Sequence, residues 1–180
     1  MQEKDDIKAL FFNESTKHWH FEDLVTKSGL SRGQSNAWIK RLQKEKCIFK
    51  IKKKGKMPYY ISNYNNPEFK IKKKLFALQQ FKQSGFLAHL SSLKAETVIL
   101  FGSFARSDWN SESDIDLFIY GNADDFNKGF YEKKLKREIQ VFNYQDKKAL
   151  KRLEPAVLNN IAKGMYIKIS KEPFEVHISA

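Results

Sequence analysis

Asp114 and Asp116, two aspartates one residue apart, are the side chains in this sequence best suited to chemistry. At the start of a strand, alternation puts both carboxylates on one face and turns Ile115, Leu117 and Ile119 to the other. Neighbouring carboxylates repel and raise each other's pKa unless a cation lies between them, so the pair points to a divalent metal. Upstream stands Gly102-Ser103, directly after the apolar run Val98 to Phe101. A glycine there lets the backbone turn closely around a ligand, the Ser103 hydroxyl adds a donor, and a helix opening near Phe104 aims its free amides back at the turn. Arg106, in the first turns of that helix, can reach a phosphate or pair with an acid. These residues together suit a metal-bound triphosphate.

The elements that must position them follow from hydrophobic pattern. Val98 to Phe101 is continuous and apolar, as in a strand buried on both faces. DWNSES, residues 108–113, is a polar loop leading to the aspartates. Residues 124–135 read as a crossover helix to the strand REIQVFNY, residues 137–144, and residues 146–153 as a short peripheral helix. Pro155 opens a last helix, with Leu158 and Ile161 inward and Gly164 as its break. Tyr166, Ile167 and Ile169 suggest a strand, residues 174–178 another edge pairing, and His177 has no visible partner. Ahead of this block, GFLAHLSSL (residues 85–93) reads as a helix with His89 as a surface or packing residue.

GSFARSDWNSESDIDLFI, residues 102–119, resembles the signature of the DNA polymerase beta-like nucleotidyltransferase superfamily, in its small single-domain form. The resemblance covers about residues 95–170. It implies a small mixed sheet with flanking helices, in which Gly102, Ser103 and Arg106 hold a nucleoside triphosphate and Asp114 and Asp116 bind magnesium. Two-metal transfer to a hydroxyl acceptor would release pyrophosphate. The sequence departs from the pattern twice. Ser107 stands where a glycine follows the arginine, and a third carboxylate expected on the later strand is replaced, when Ile139 and Val141 are aligned, by Gln140. An amide ligates weakly and takes no proton, leaving Gln140 to orient a phosphate or water. Glu138 lies two residues earlier on the same strand face, about 6 to 7 Å away; it either substitutes as the catalytic acid or pairs with Arg106, Arg137 or a lysine.

The first part of the chain has another character. Ile7, Leu10 and Phe11 mark one amphipathic helix, and Phe21, Leu24 and Val25 a second. Gly29 ends the second and Ser31 caps a third, from about Arg32 to Lys46, with Trp38, Ile39 and Leu42 inward and Ser35 outward. CIFKIKKKGKMPYYIS then reads as a hairpin turning at Lys54-Gly55-Lys56, with Phe49, Ile51, Met57, Tyr59 and Ile61 inward. Residues 5–62 resemble a winged helix-turn-helix. The resemblance implies that the front of the third helix enters a DNA major groove and the wing touches phosphates. Arg32, Gln34, Asn36 and Lys40 are then the candidates on the helix, and Lys50, Lys52, Lys53, Lys54 and Lys56 those on the wing. NYNNP, residues 63–67, is a polar break, and a helix over residues 69–81 has Ile71, Leu75, Leu78 and Phe81 on its apolar side and Lys70, Lys72, Lys73 and Lys74 solvated.

Charge agrees with that division. Residues 1–80 carry 18 Lys/Arg against 8 Asp/Glu, residues 81–180 carry 15 against 13, and residues 31–62 hold 10 basic side chains and one acid, Glu45. Such a field attracts a polyanion. One cysteine, Cys47, excludes an intramolecular disulfide, and the four histidines lack metal-ligand spacing. No apolar run is long enough to span a bilayer and MQEKDDIK has no signal-like block, so a cytoplasmic protein without membrane contact is expected.

The fold class is α+β: residues 1–62 a winged helix-turn-helix, 63–94 a linker with bridging helices, 95–180 a mixed-sheet nucleotidyltransferase-like domain. The expected function is binding of double-stranded DNA together with magnesium-dependent binding of a nucleoside triphosphate and transfer of its nucleotidyl group. Two alternatives stand beside it. One is a transcriptional regulator whose inactive domain senses nucleotide or forms a homodimer; the other is an antitoxin-like modifier of a helical partner protein.

Overall fold

The computed structural model describes residues 7–150, 153–171, 173 and 174; from residue 175 on, the expected edge strand and His177 lie outside the described residues. The architecture is α+β, with N-terminal helices followed by a mixed sheet flanked by helices. The chain divides into two compact units, residues 1–73 and 74–180.

In the first unit, α1 (Ile7–Asn13), α2 (Phe21–Ser28) and α3 (Arg32–Lys44) precede a hairpin of β1 (Ile48–Ile51) and β2 (Tyr59–Ser62). Ile7, Ala9, Phe11 and Phe12 of α1 are buried, and Phe12 meets Phe69 edge-on at 5.2 Å. Gly29, at φ +65, ends α2 by donating its N–H to Val25. Ser31 and Gln34 form a reciprocal capping box: Ser31 Oγ accepts from the Gln34 amide at 3.2 Å, and Gln34 Oε1 from the Ser31 amide at 3.0 Å. The buried stripe of α3 is Ser35, Ile39 and Leu42. Ser35 therefore points inward, against expectation, while Trp38 sits half-buried at the stripe's edge with Lys8 and Arg41 over its ring at 5.5 and 5.2 Å. A small hydroxyl fits the close approach between helices that the indole does not.

The hairpin has the expected turn and the expected alternation, but its inward face is the opposite one. Antiparallel register pairs Ile48 with Ser62, Phe49 with Ile61, Lys50 with Tyr60 and Ile51 with Tyr59. Ile48, Tyr60 and Ser62 are buried, whereas Phe49 is 48% exposed and Met57 74%. The choice of face is fixed from outside the hairpin. Trp19 bridges Tyr60 through two backbone hydrogen bonds of 2.9 and 2.8 Å, and Ser62 Oγ donates to the Phe11 carbonyl at 3.1 Å. A period of two fixes which residues share a face; only these partners decide which face is covered.

The division between units falls inside α4 (Pro67–Gln83). Its buried residues are Phe69, Lys73, Ala77 and Phe81, while Ile71 and Leu75, expected inward, are 55% and 59% exposed. Lys73, expected in solvent, is buried and donates from Nζ to Ser15 Oγ at 2.9 Å. In the first unit Phe69 takes its place beside Phe12, and the helix phase this sets turns Ile71 outward.

The second unit continues with α5 (Phe86–Ser92), β3 (Thr97–Phe101), α6 (Gly102–Arg106), β4 (Ile115–Tyr120), α7 (Lys128–Leu135), β5 (Ile139–Tyr144), α8 (Lys147–Leu150), α9 (Pro155–Ala162) and β6 (Met165–Ile169). Sheet order is β5-β4-β3-β6, with β4 and β5 parallel and the other neighbours antiparallel. All five residues of β3 are buried, as their apolar run requires. Ile99, Phe101, Phe118 and Tyr120 form a core with Leu150 and Ile161 on one sheet face. His89 packs between Phe126 and Tyr131, at 5.8 and 5.0 Å, and its Nε2 accepts from the Asn127 amide at 3.3 Å. No helix of the described residues is long and apolar enough to cross a membrane.

Glu45, the one acid among residues 31–62, ties the end of α3 to α4. Its carboxylate accepts from Lys72 at 2.8 Å and Arg41 at 2.9 Å, and these bonds hold its pKa below the ordinary value despite opposing desolvation. A lowered carboxyl pKa contributes stability above the unfolded value and loses it as pH falls through the folded one. Glu45→Gln should therefore cost up to about 1 kcal/mol at neutral pH. Urea titrations at pH 7 and pH 3 should show the difference shrinking in acid; a constant difference would mean the pair is not what stabilises this corner.

Candidate functional site

β3 runs straight into Gly102, whose φ is +67. Register places Asp116 between Phe101 of β3 and Gln140 of β5. A Cβ on Gly102 would overlap the Asp116 carboxylate, with its Cγ 2.8 Å away. Gly102 is thus required twice, for its backbone angle and for the space that Asp116 fills. α6 starts at Gly102 and ends after five residues, so anion affinity here must come from individual amides, Ser103 and Arg106 more than from a helix dipole. Ser107 occupies the left-handed position that closes α6, at φ +66, where a glycine would be unstrained. That is the physical content of the first departure from the family pattern.

Asp114, one residue ahead of β4, and Asp116 are both half-buried. Burial pushes the Asp116 carboxyl above its ordinary pKa, the neighbouring Asp114 charge pushes the same way, and Arg106 opposes them. Gln140 Nε2 donates to Asp114 Oδ2 at 2.7 Å. The amide thus holds the first aspartate from the position where a third acid was expected. Glu138 is exposed just ahead of β5; its carbonyl accepts from the Ile115 amide at 2.9 Å, and its carboxylate makes no ion pair among the described residues. Arg106 bonds Asp108 at 2.9 Å and Asn160 at 3.1 Å from an exposed position.

Arg137 plays a larger part than its sequence position suggested. Its Nη1 donates to the carbonyls of Asn110, Ser111 and Ser113 at 2.7, 3.1 and 2.9 Å. Its guanidinium lies over Phe104 and Trp109 at 5.2 and 5.3 Å, and those two rings are stacked 5.1 Å apart. Burial lowers its pKa from the ordinary value, while Glu112 and Asp114 act to raise it. One cation thereby gathers the loop that delivers Asp114 to the strand. The only local hint was Trp109, a large apolar residue in an otherwise polar loop.

Among the described residues no three His, Cys, Asp or Glu side chains converge as a metal cluster. The two carboxylates fit one hard cation that completes its shell with water or phosphate oxygens, while Gln140, which turns its NH2 group to Asp114, supplies no ligand in this arrangement. A second cation would need the carboxylate that Gln140 does not provide.

In the first unit, Lys40, Asn36, Lys50, Lys52, Lys53, Lys54 and Lys56 are exposed. Arg32 is exposed but pairs with Glu22 at 2.6 Å and lies over Phe21 at 5.1 Å. The Gln34 carbonyl is engaged in the cap of α3, which leaves its NH2 group. Lys50 leans over Tyr60 at 5.8 Å.

Because a lysine cannot hold three carbonyls and two ring faces with a planar fork, Arg137→Lys should lower stability by about 1 to 3 kcal/mol. It should also speed hydrogen exchange at Ser113, whose amide bonds Asn110 at 3.3 Å. Unchanged exchange across residues 110–115 would show that the loop holds itself.

Residues 82–177 match the family described as Nucleotidyltransferase domain. No curated protein and no solved structure matches the chain. The matched segment is more than half of the sequence and takes in the Gly-Ser turn, both aspartates and Gln140: the chain belongs to the nucleotidyltransferase domain family.

Proposed function

We propose that the chain is a DNA-binding protein whose second unit binds a magnesium nucleoside triphosphate and transfers its nucleotidyl group to a hydroxyl acceptor. The observation that carries this reading is the packing of Asp116 against Gly102, beside Asp114, within a nucleotidyltransferase domain. Asp114 and Asp116 would hold the magnesium, which when bound neutralises phosphate charge. Ser103 donates to a phosphate oxygen, and Arg106 exchanges Asp108 for phosphate. Arg137 keeps the loop, and so Asp114, in place. Gln140 cannot take the acceptor's proton, so Glu138 is the carboxylate left for that step.

A second reading is favoured by the Gln140 to Asp114 hydrogen bond: the domain senses nucleotide, or only dimerises, and the protein acts as a regulator of transcription. Radiolabel from a nucleoside triphosphate should enter an acceptor in the presence of magnesium and vanish in Asp114→Asn/Asp116→Asn. Calorimetric binding of the nucleotide without pyrophosphate release would favour the sensor. In that case Gln140→Asp should raise the number of manganese ions bound per chain from one toward two.

DNA binding is assigned to the first unit as a winged helix-turn-helix. Support comes from three helices followed by a lysine-rich hairpin, and from the single Trp19 to Tyr60 bridge that ties the segment before α2 to the hairpin. Replacing Lys52, Lys53, Lys54 and Lys56 by alanine should weaken binding to all duplexes and flatten the salt slope by up to about four units. Arg32→Ala or Asn36→Ala should cost about 1 to 3 kcal/mol on a preferred sequence and much less on random DNA. Asp114→Asn/Asp116→Asn should leave the affinity nearly intact. Fluorescence anisotropy at several salt concentrations measures all of these, and a wild-type slope in the four-lysine variant would remove the wing from the interface.

A further inference from the structure

The bridge between Trp19 and Tyr60 has a second consequence on the outer side of the hairpin. Trp19 and Tyr60 are buried, so alternation turns His18, His20 and Tyr59 outward together. His18 stacks on Tyr59 at 4.3 Å, and His20 meets the same ring edge-on at 6.5 Å. His20 Nδ1 lies 3.0 Å from the Pro58 carbonyl. A carbonyl can only accept, so Nδ1 carries the proton and Nε2 is left for another partner. Across from these rings, Lys53 and Lys56 flank the Gly55 turn, closed by the Lys56 amide bonding the Lys53 carbonyl at 3.1 Å. Together with Met57 they line an open surface hollow of about 450 Å³.

This volume lies in the range of small-molecule sites, and its chemistry has two halves. Two ammonium groups offer mobile charge with donors suited to phosphate oxygens. The remainder is a ring and thioether surface, which a bare phosphate does not need and a planar ring does. A base inside a duplex is covered above and below by its neighbours and cannot present a face to such a surface; an unpaired nucleotide can. We propose that the hollow binds a single nucleotide unit, with its phosphate between Lys53 and Lys56 and its base against Met57 and Tyr59. Two sources share this chemistry: a free nucleotide, and an unpaired nucleotide at the end of a DNA strand. The hollow is lined by first-unit residues, and binding there does not depend on the activity of the aspartate pair.

The test uses the full chain carrying Asp114→Asn/Asp116→Asn, without magnesium, so that the second unit is silenced. Titration with deoxyadenosine monophosphate, followed by NMR, should move the imidazole signals of His18 and His20 and the methyl signal of Met57. Lys53→Ala/Lys56→Ala should weaken this binding at least tenfold. Met57→Ala should weaken the monophosphate but leave inorganic phosphate unchanged; all three side chains are exposed, so the fold is not at risk. Deoxyadenosine and inorganic phosphate should each bind more weakly than the monophosphate. A blunt duplex competes for the two lysines alone and sets the baseline of displacement. If a duplex with one unpaired 5′-phosphorylated nucleotide displaces the monophosphate at least tenfold more effectively than the blunt duplex, the strand end is the source; if the two duplexes displace it equally, the source is the free nucleotide. The proposal is overturned if inorganic phosphate binds as tightly as the monophosphate, or if these three signals stay in place.

Discussion

The carboxylate of Asp116 stands where the side chain of residue 102 would otherwise begin, and most of the second unit's arrangement depends on that exchange of space. It requires β3 to end at a left-handed glycine and β4 to run beside it in a register that brings residue 116 to the strand's end. β3 can hold that register because all five of its residues are buried between β4 and β6, so a slip by one residue would exchange its two faces within the core. A carboxylate pair placed this way is costly to the fold, since burial and a like charge both disfavour the ionised Asp116. Gln140 and Arg137 limit that cost by different means, one bonding Asp114 directly and the other fixing the loop before it.

The site was legible in the sequence to the extent that it is local. A glycine-serine turn after an apolar strand, and two aspartates at strand spacing, follow from periods of one to a few residues. The place of Gln140 on β5, where a third acid is expected, was also readable because Ile139 and Val141 fix the strand's phase; that it pairs with Asp116 was not. What escaped were contacts between residues far apart in the chain. The three carbonyls gathered by Arg137 lie 24 to 27 positions away and leave no periodic trace. The first unit's failures have the same cause. Alternation in the hairpin and helical spacing in α4 were both visible, but more than one face was apolar. Phe12, Phe11 and Trp19 chose between the faces, and nothing within either segment could.

The same separation of local from distant control bears on how this hairpin can change. β1 ends at Ile51 and β2 begins at Tyr59, and the intervening seven residues contain four of the lysines and no ladder pairing. Lengthening or shortening that stretch leaves the pairing of Ile48 with Ser62 and Phe49 with Ile61 untouched, because the partners that fix register act on Tyr60 and Ser62. One residue inserted between Tyr59 and Ser62 would instead exchange the covered and uncovered faces at once. As far as folding is concerned, the length of the tip is therefore open to insertion and deletion, while the strands a few residues away tolerate almost none. Related chains should differ in loop length at the tip long before they differ at Tyr60.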